Sequence, residues 1–247
     1  MARERELKRR PKDHDRGVAV VEALLDLCGR PGREPVTKRT TSRYLDTRSG
    51  VLRRGGVGLR ARGDSSESRA CWTVKVGAIP DQRGLSVAHE FEVRGIWQEI
   101  PAEIALSLSL CGVDGDFVEI VRFTTTRQLW DASFLDARLE ICLDLVAVEH
   151  PCKLEFVEVE VESIDQRVLE RLGDEIDRRF PDVPPSAASK LATALKGCHP
   201  DSQGAGYTSV RMDQEPDSDL GERLAGLLEL ATPLPTPWRR PPTFGHA

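Results

Sequence analysis

Pairs of glutamates spaced two apart recur along this chain, and arginines and lysines recur at the same spacing. Glu4, Glu6 and Lys8 open the series. Arg60 and Arg62 follow, then Thr73 and Lys75, Glu90 and Glu92, then Arg138, Glu140 and Asp144, and last Glu158, Glu160 and Glu162. In an extended chain, residues two apart share a face. The residues between them are apolar: Leu59 and Ala61, Trp72, Val74 and Val76, Phe91 and Val93, Leu139, Ile141, Leu143 and Leu145, Val157, Val159 and Val161. An ordinary amphipathic sheet wets its charged face and buries the other. Such a face mixes both charges with small polar residues, whereas here Glu segregates on some strands and Arg or Lys on others. Like charges two apart repel, and Glu suits a strand poorly, so a compensating charge is expected. Carboxylates suit Mg²⁺ or Mn²⁺ that also binds phosphate oxygens. Arginine forks and lysine ammoniums suit phosphate itself. Together these residue types could hold a metal-chelated polyphosphate between an acidic wall and a basic wall.

Several elements must position them. Segments 36–46, 57–63, 70–77, 86–94, 117–130, 137–148 and 153–162 alternate in polarity and read as strands, separated by turn material such as Gly55-Gly56 and Pro80-Asp81. Residues 2–10 are short and charged and fit a strand or a helix end. Helical spacing marks 16–28, through Val18, Val21, Leu24, Leu25 and Cys28, and further helices are expected over 98–112, 164–179 and 186–197. About eight strands at even spacing favour an α+β chain built on a closed antiparallel β-barrel or a sandwich. Closure would let the charged faces point inward and the apolar faces outward, against helices packed outside.

The bulk composition narrows the classes. The chain has 247 residues and a net charge of −5, which argues against a broad cationic surface for a nucleic acid polymer. No stretch approaches the roughly 18 apolar residues of a membrane span. The charged N-terminus lacks the apolar core of a secretory signal. Six cysteines without a CxxC pair read as reduced thiols in the cytoplasm, and no zinc-ligand spacing is present. Residues 198–247 hold seven of the sixteen prolines and read as a largely disordered tail, with one apolar stripe at Leu220, Leu224, Leu227 and Leu228.

The motifs also resemble a known family. Glu4-x-Glu6-x-Lys8 is similar to the opening of CYTH domains, the triphosphate tunnel metalloenzymes. In order, Tyr44-Leu45-Asp46-Thr47, Leu52-Arg53, Leu59-Arg60-Ala61-Arg62, Trp72-Thr73-Val74-Lys75, Glu90-Phe91-Glu92, Arg127, Glu140 to Asp144, Glu158-Val159-Glu160 and Ser189-Lys190 resemble its later elements. The likeness spans residues 3 to about 196. It implies an eight-stranded antiparallel tunnel over 1–197, with a C-terminal helical region that plugs it in some members. It implies hydrolysis of a small triphosphate, inorganic tripolyphosphate or thiamine triphosphate, with Mg²⁺ or Mn²⁺. Glu4, Glu6, Glu140, Asp144, Glu158 and Glu160 would face the metal. Lys8, Arg53, Arg60, Arg62, Lys75, Arg127 and Lys190 would hold phosphates, and Glu90 and Glu92 would orient those cations or water. Glu4, Glu6, Lys8, Lys75 and Arg127 would form the catalytic set.

One departure concerns Thr125, where many members carry Lys; Arg122 is the substitute candidate, though its parity points the other way. Two alternatives share this site: an adenylate cyclase of the same tunnel type, and a non-catalytic polyphosphate or nucleotide sensor. The expected partner is the small triphosphate alone, with no nucleic acid and no membrane, for a monomer or homodimer.

Overall fold

Alternation by two requires every strand to present one charged and one apolar face, and the fold turns the charged faces toward each other. The computed structural model describes residues 2–29, 34–64, 68–77, 80–186, 188–198 and 218–230. The strands are β1 (Ala2–Arg9), β2 (Val36–Thr47), β3 (Val57–Gly63), β4 (Arg69–Val76), β5 (Leu85–Ile96), β6 (Phe117–Phe134), β7 (Ala137–His150) and β8 (Leu154–Glu162). All neighbours are antiparallel, and the sheet closes in the order β1-β5-β4-β3-β2-β6-β7-β8. Residues 2–10, ambiguous in sequence, supply the strand that closes the barrel.

The helices are α1 (His14–Leu27), α2 (Val51–Arg54), α3 (Ala102–Leu110), α4 (Gln166–Arg179), α5 (Lys190–Cys198) and α6 (Ser218–Leu230). Two apolar clusters lie outside the sheet. In one, Val20, Val21, Leu24 and Leu25 of α1 and Leu169, Leu172 and Ile176 of α4 cover Leu7, Leu139, Ile141, Leu143, Val159 and Val161. In the other, α3, α2 and α6 cover Leu59, Ala61, Trp72, Val74 and Val76. Each fully buried aliphatic side chain there contributes about 1.5–3 kcal/mol, so the outer layer carries the hydrophobic driving force that an ordinary barrel keeps inside. Arg9 pins α4 to this layer: buried on the outer face of β1, it donates to the Arg83 carbonyl at 2.6 Å and to Asp177 at 2.9 Å.

A third cluster lies within the barrel. Val121, Phe123, Val146 and Val148 face inward at one end, and Leu191, Ala194 and Leu195 of α5 pack into them. α5 therefore plugs that end. It starts later than the helix expected at 186, because Pro184-Pro185 stay extended and bridge to β1 at Arg9, and the Ser189 hydroxyl accepts the Ala192 N–H at 3.2 Å. α3 starts directly after Pro101, where the sequence places the start of the helix in segment 98–112, and ends at Leu110. The one-turn α2 has no apolar periodicity to announce it. Buried Asp46 accepts N–H bonds from Thr47, Leu52 and Arg53, which satisfies the donors at its start.

The expectation of six reduced thiols fails at two of them. Cys152, in the β7–β8 turn, and Cys198, at the end of α5, form a disulfide across 46 residues. Docking of α5 into the barrel brings them together, so no sequence spacing signals the pair. Cysteine usage therefore no longer supports a cytoplasmic setting. The apolar stripe in the otherwise disordered-looking tail, which by its spacing could make a helix, is the helix α6, whose Leu220 and Leu224 are buried against the barrel; residues 199–217 and 231–247 lie outside the described residues. None of the described helices is long and apolar enough to cross a membrane.

The disulfide gives a stability prediction. Cys152→Ser lowers the unfolding free energy in oxidised protein by about 2–4 kcal/mol, read by urea titration. The difference from wild type vanishes when both are measured in excess reductant. An unchanged oxidised midpoint would mean that α5 is held without the bond.

Candidate active site

Residues opposite each other in antiparallel register share a face, and the register assembles the charged positions in one space. Glu6 lies opposite Ser86 and Glu162, and Lys8 opposite Glu160. Lys75 lies opposite Glu90, Arg60 opposite Thr73 and Tyr44, and Arg62 opposite Ser42 and Cys71. Arg127 lies opposite Asp144 and Lys38, and Asp144 opposite Glu158. Solvent reaches this space from the end away from α5: Glu4 and Lys75 keep about a fifth of their side-chain surface exposed, whereas Asp144 and Glu158 keep none.

Three carboxylates converge near the open end. Ligand atoms of Glu4, Glu6 and Glu162 lie within 4.8 Å of one another. Lys75 sits against Glu4 at 2.5 Å, Glu90 at 3.1 Å and Glu6 at 3.5 Å. Lys8 sits 3.0 Å from Glu6, and Ser86 donates to Glu6 at 2.9 Å. Glu162 has weaker support, with Arg127 at 3.7 Å. Burial first, and then the charge of Glu4, push the Glu162 carboxyl up to about 8. Two residues away, burial would also raise Glu160, but Lys190, Lys8 and Arg127 outweigh it and hold that carboxyl well below the usual range. Three oxygen donors, one of them held protonated by burial and the neighbouring Glu4 charge, fit a hard divalent cation.

The opposite wall is basic. Among the described residues no carboxylate lies within 4 Å of Arg60 or Arg62, and Arg60 Nε is buried without an acceptor. Arg60 donates to the Thr73 hydroxyl at 3.3 Å, and that hydroxyl donates to Glu92 at 3.4 Å, so Glu92 orients Arg60 through Thr73. The Arg60 charge first, then burial, lower the Arg62 guanidinium from its ordinary value. Burial would raise the Glu90 carboxyl, yet Lys75 and Arg60 hold it below its usual value. Toward the plug each carboxylate has a cation within ion-pair distance. Arg127 chelates Asp144 at 2.7 and 2.6 Å and also meets Glu160. Lys190 of α5 reaches Asp144 at 2.9 Å and Glu158 at 2.8 Å, and also contacts Glu160, which Lys8 approaches as well at 3.2 Å.

The structure thus brings Glu4, Glu6, Lys8, Arg60, Arg62, Lys75, Glu90, Glu92, Arg127, Asp144, Glu158, Glu160 and Lys190 to one interior. Glu140 lies beside Glu162 in the register, outside the three-carboxylate group. Arg53 is not brought in: it sits on α2 with its guanidinium 3.5 Å from Asp46. Arg122 is not brought in either. It lies opposite Arg43 and bonds Glu119 on the outer face, because the irregularity beside it leaves its own parity unchanged. His89 stands opposite Arg3 and Val76 on the outer side.

Sequence reasoning saw Glu162 on the right face and left it out of the metal set in favour of Glu158. It missed Arg10, which extends the parity of Glu4, Glu6 and Lys8 by one step. It also missed Lys38, an exposed residue that the register sets on the face of Arg127 near Thr125. The alternation Lys38-x-Thr40-x-Ser42-x-Tyr44 could have flagged it.

Comparisons with known proteins agree with this architecture. The family model for the CYTH domain matches residues 2–195. A Hippeastrum protein described as a candidate adenylyl cyclase with a dominant triphosphatase activity superposes with a TM-score of 0.54 at 21% identity, over 78% of this chain and 96% of that one. A Bacillus halodurans protein described as a candidate adenylate cyclase gives 0.51 at 19% identity, over 77% and 97%. The search of curated proteins finds no match.

Protonated Glu162 sets a pH dependence. Its carboxyl titrates at about 8 in the fold against 4.5 ordinarily, so between those values the folded state holds a proton that the unfolded state has lost. Its contribution is therefore fully present below about 4.5, declines as pH rises, and is gone above about 8. Binding a divalent cation must expel that proton. Calorimetry with Mn²⁺ in buffers of different ionisation enthalpy is expected to show proton release below pH 8, with affinity rising up to about tenfold per pH unit from 6 to 8. Glu162→Gln abolishes the release and makes the metal-free protein more stable than wild type at pH 8.5. Proton release undiminished in that variant would move the titrating group elsewhere.

Proposed function

The chain belongs to the CYTH domain family, and from that premise we propose that it is a triphosphatase. It uses Mg²⁺ or Mn²⁺ to hydrolyse a small triphosphate, inorganic tripolyphosphate or thiamine triphosphate, inside the barrel. The observation that carries this reading is the unmatched basic wall. Among the described residues Arg60 and Arg62 have no carboxylate within 4 Å: Glu90 and Glu92 act on Arg60 only at longer range, the Arg62 charge is disfavoured beside Arg60, and the Glu162 carboxyl is held protonated by burial and the Glu4 charge. Buried charges left this way are costly. A polyanion together with a divalent cation neutralises both walls at once.

Phosphoryl transfer needs positioning and charge stabilisation more than covalent help. Arg60, Arg62 and Arg127 bind non-bridging oxygens and stabilise the charge that accumulates on the leaving diphosphate. Glu92 and Thr73 keep Arg60 turned inward. Glu90 holds Lys75 beside Glu4, where the ammonium meets both the acidic cluster and the substrate. A cation held by Glu4, Glu6 and Glu162 supplies charge neutralisation on the phosphate oxygens when bound. Water oxygen attacks the terminal phosphorus, the bridging P–O bond breaks, and orthophosphate and diphosphate leave with net release of a proton.

Inorganic tripolyphosphate is the favoured substrate of the two. The inward-facing rings of Tyr44, Phe123 and Phe156 all pack in the apolar cluster around α5. Of these, Tyr44 stands beside the basic wall, opposite Arg60, but its ring is already packed against Phe123, which leaves a thiazolium or a base little aromatic surface to stack on. The same observation places cyclisation of ATP second.

Purified protein with Mg²⁺ or Mn²⁺ is expected to release orthophosphate from tripolyphosphate. Arg60→Ala lowers kcat about 10²–10³-fold by removing an unshared charge stabiliser, and Glu4→Ala abolishes turnover. Release no greater than that of the Glu4→Ala protein sinks the proposal. Cyclic AMP formed from ATP would reassign the site to cyclisation.

A further inference from the structure

Strand parity does not stop where β1 ends. Arg10 follows Glu4, Glu6 and Lys8 onto the inner side, at the junction between the charged space and the plug. Its guanidinium lies over the Phe156 ring, 4.6 Å from the centroid. Its Nη2 donates to Glu158 Oε1 at 3.0 Å, to Ser186 Oγ at 3.2 Å and to Thr193 Oγ1 on α5 at 2.7 Å. Its backbone N–H donates to the Pro184 carbonyl at 3.0 Å, so the chain leading into α5 is held by the same residue. The other oxygen of Glu158 lies 2.8 Å from Lys190. Glu158 is wholly buried, and its two oxygens are divided between Arg10 and Lys190.

This connectivity gives Glu158 a different task from the carboxylates near the mouth. With both oxygens committed to cations, it is an anchor for Lys190. Arg10 in turn fixes that anchor, and through Thr193 it fixes how deeply the plug helix enters. We propose that Arg10 is a positioning residue for triphosphate binding: it sets α5, and with it the Lys190 ammonium, at the depth where Lys190 meets the inner end of the substrate. Arg10 acts through Lys190 and touches no substrate itself. The proposal rests on the triphosphatase reading above and adds to it a determinant of substrate affinity outside the family motifs matched in the sequence.

A purely structural Arg10 would lower stability without separating KM from kcat and without depending on Lys190. The test is steady-state hydrolysis of tripolyphosphate by Arg10→Ala, Arg10→Lys, Lys190→Ala and the Arg10→Ala/Lys190→Ala double variant, each at saturating Mg²⁺. Arg10→Ala is expected to raise KM about tenfold while kcat and the Mg²⁺ activation midpoint stay within about twofold. Arg10→Lys keeps a cation beside Glu158 and recovers most of the KM. In the Lys190→Ala background, Arg10→Ala adds no more than about twofold, because its effect has already been removed. If Arg10→Ala does not fold, Thr193→Ala loosens the same grip and is expected to raise KM by a smaller factor with kcat retained. An unchanged KM in Arg10→Ala or Thr193→Ala, a full additional KM loss in the double variant, or a fall in kcat in place of the KM rise overturns the proposal. Wild type that neither binds nor hydrolyses tripolyphosphate overturns the triphosphatase reading and this proposal together. Active wild type with unaffected Arg10 variants overturns this proposal alone.

Discussion

Every charged side chain turned into this barrel needs an opposite charge, and that requirement organises the molecule. Removing an ion from water costs several kcal/mol unless a partner and hydrogen bonds replace the solvent. Toward the plug the chain meets the demand internally, through Arg127 on Asp144 and Lys190 on Asp144 and Glu158. Toward the open end it leaves a remainder of both signs. Among the described residues Arg60 and Arg62 have no carboxylate within 4 Å, and Glu162 keeps its proton near neutral pH. Strain of this kind persists in a fold when a ligand relieves it, and the charges left without close partners gather toward the open end.

An interior given over to charge leaves the strands only their outer face for a hydrophobic core. That is why α1 and α4 blanket one side of the barrel and α2, α3 and α6 another. The plug follows the same logic in reverse. Below the charged half the inward positions become Phe123, Val146, Val148 and Phe156, and a helix with Leu191, Ala194 and Leu195 fills the space. Gly197 lets α5 approach closely, since a Cβ there would collide with the Leu154 side chain. The disulfide to Cys152 fastens the far end of the same helix. The plug thus joins an apolar seal to a charged tip, and Lys190 is that tip.

Much of this was legible because a period of two survives any uncertainty about strand ends. The inward sets on β1, β3, β4, β5, β7 and β8 could be assigned without knowing how the strands pair. Local exceptions were not legible. The β6–β7 hairpin turns at Leu135 and Asp136, both with positive φ and with no glycine to mark them. A register shift beside Tyr44 ends simple counting on β2, and Asp46, read as part of a motif, is the buried carboxylate that builds α2. Arg53 and Arg122 carried the right chemistry at the wrong place, one held by that carboxylate and the other by Glu119. The Cys152–Cys198 bond depends on how deep α5 docks, which no local pattern encodes.

The proposed function requires one coupling: acidic and basic walls that take up a metal and a polyanion together. Isothermal titration of tripolyphosphate into the protein with and without Ca²⁺, and of Ca²⁺ with and without tripolyphosphate, measures it directly. The account predicts one-to-one binding of tripolyphosphate, tightened by the cation, with the cation tightened by the same factor in return. Tripolyphosphate that fails to bind, or binds with an affinity indifferent to the cation, would contradict it.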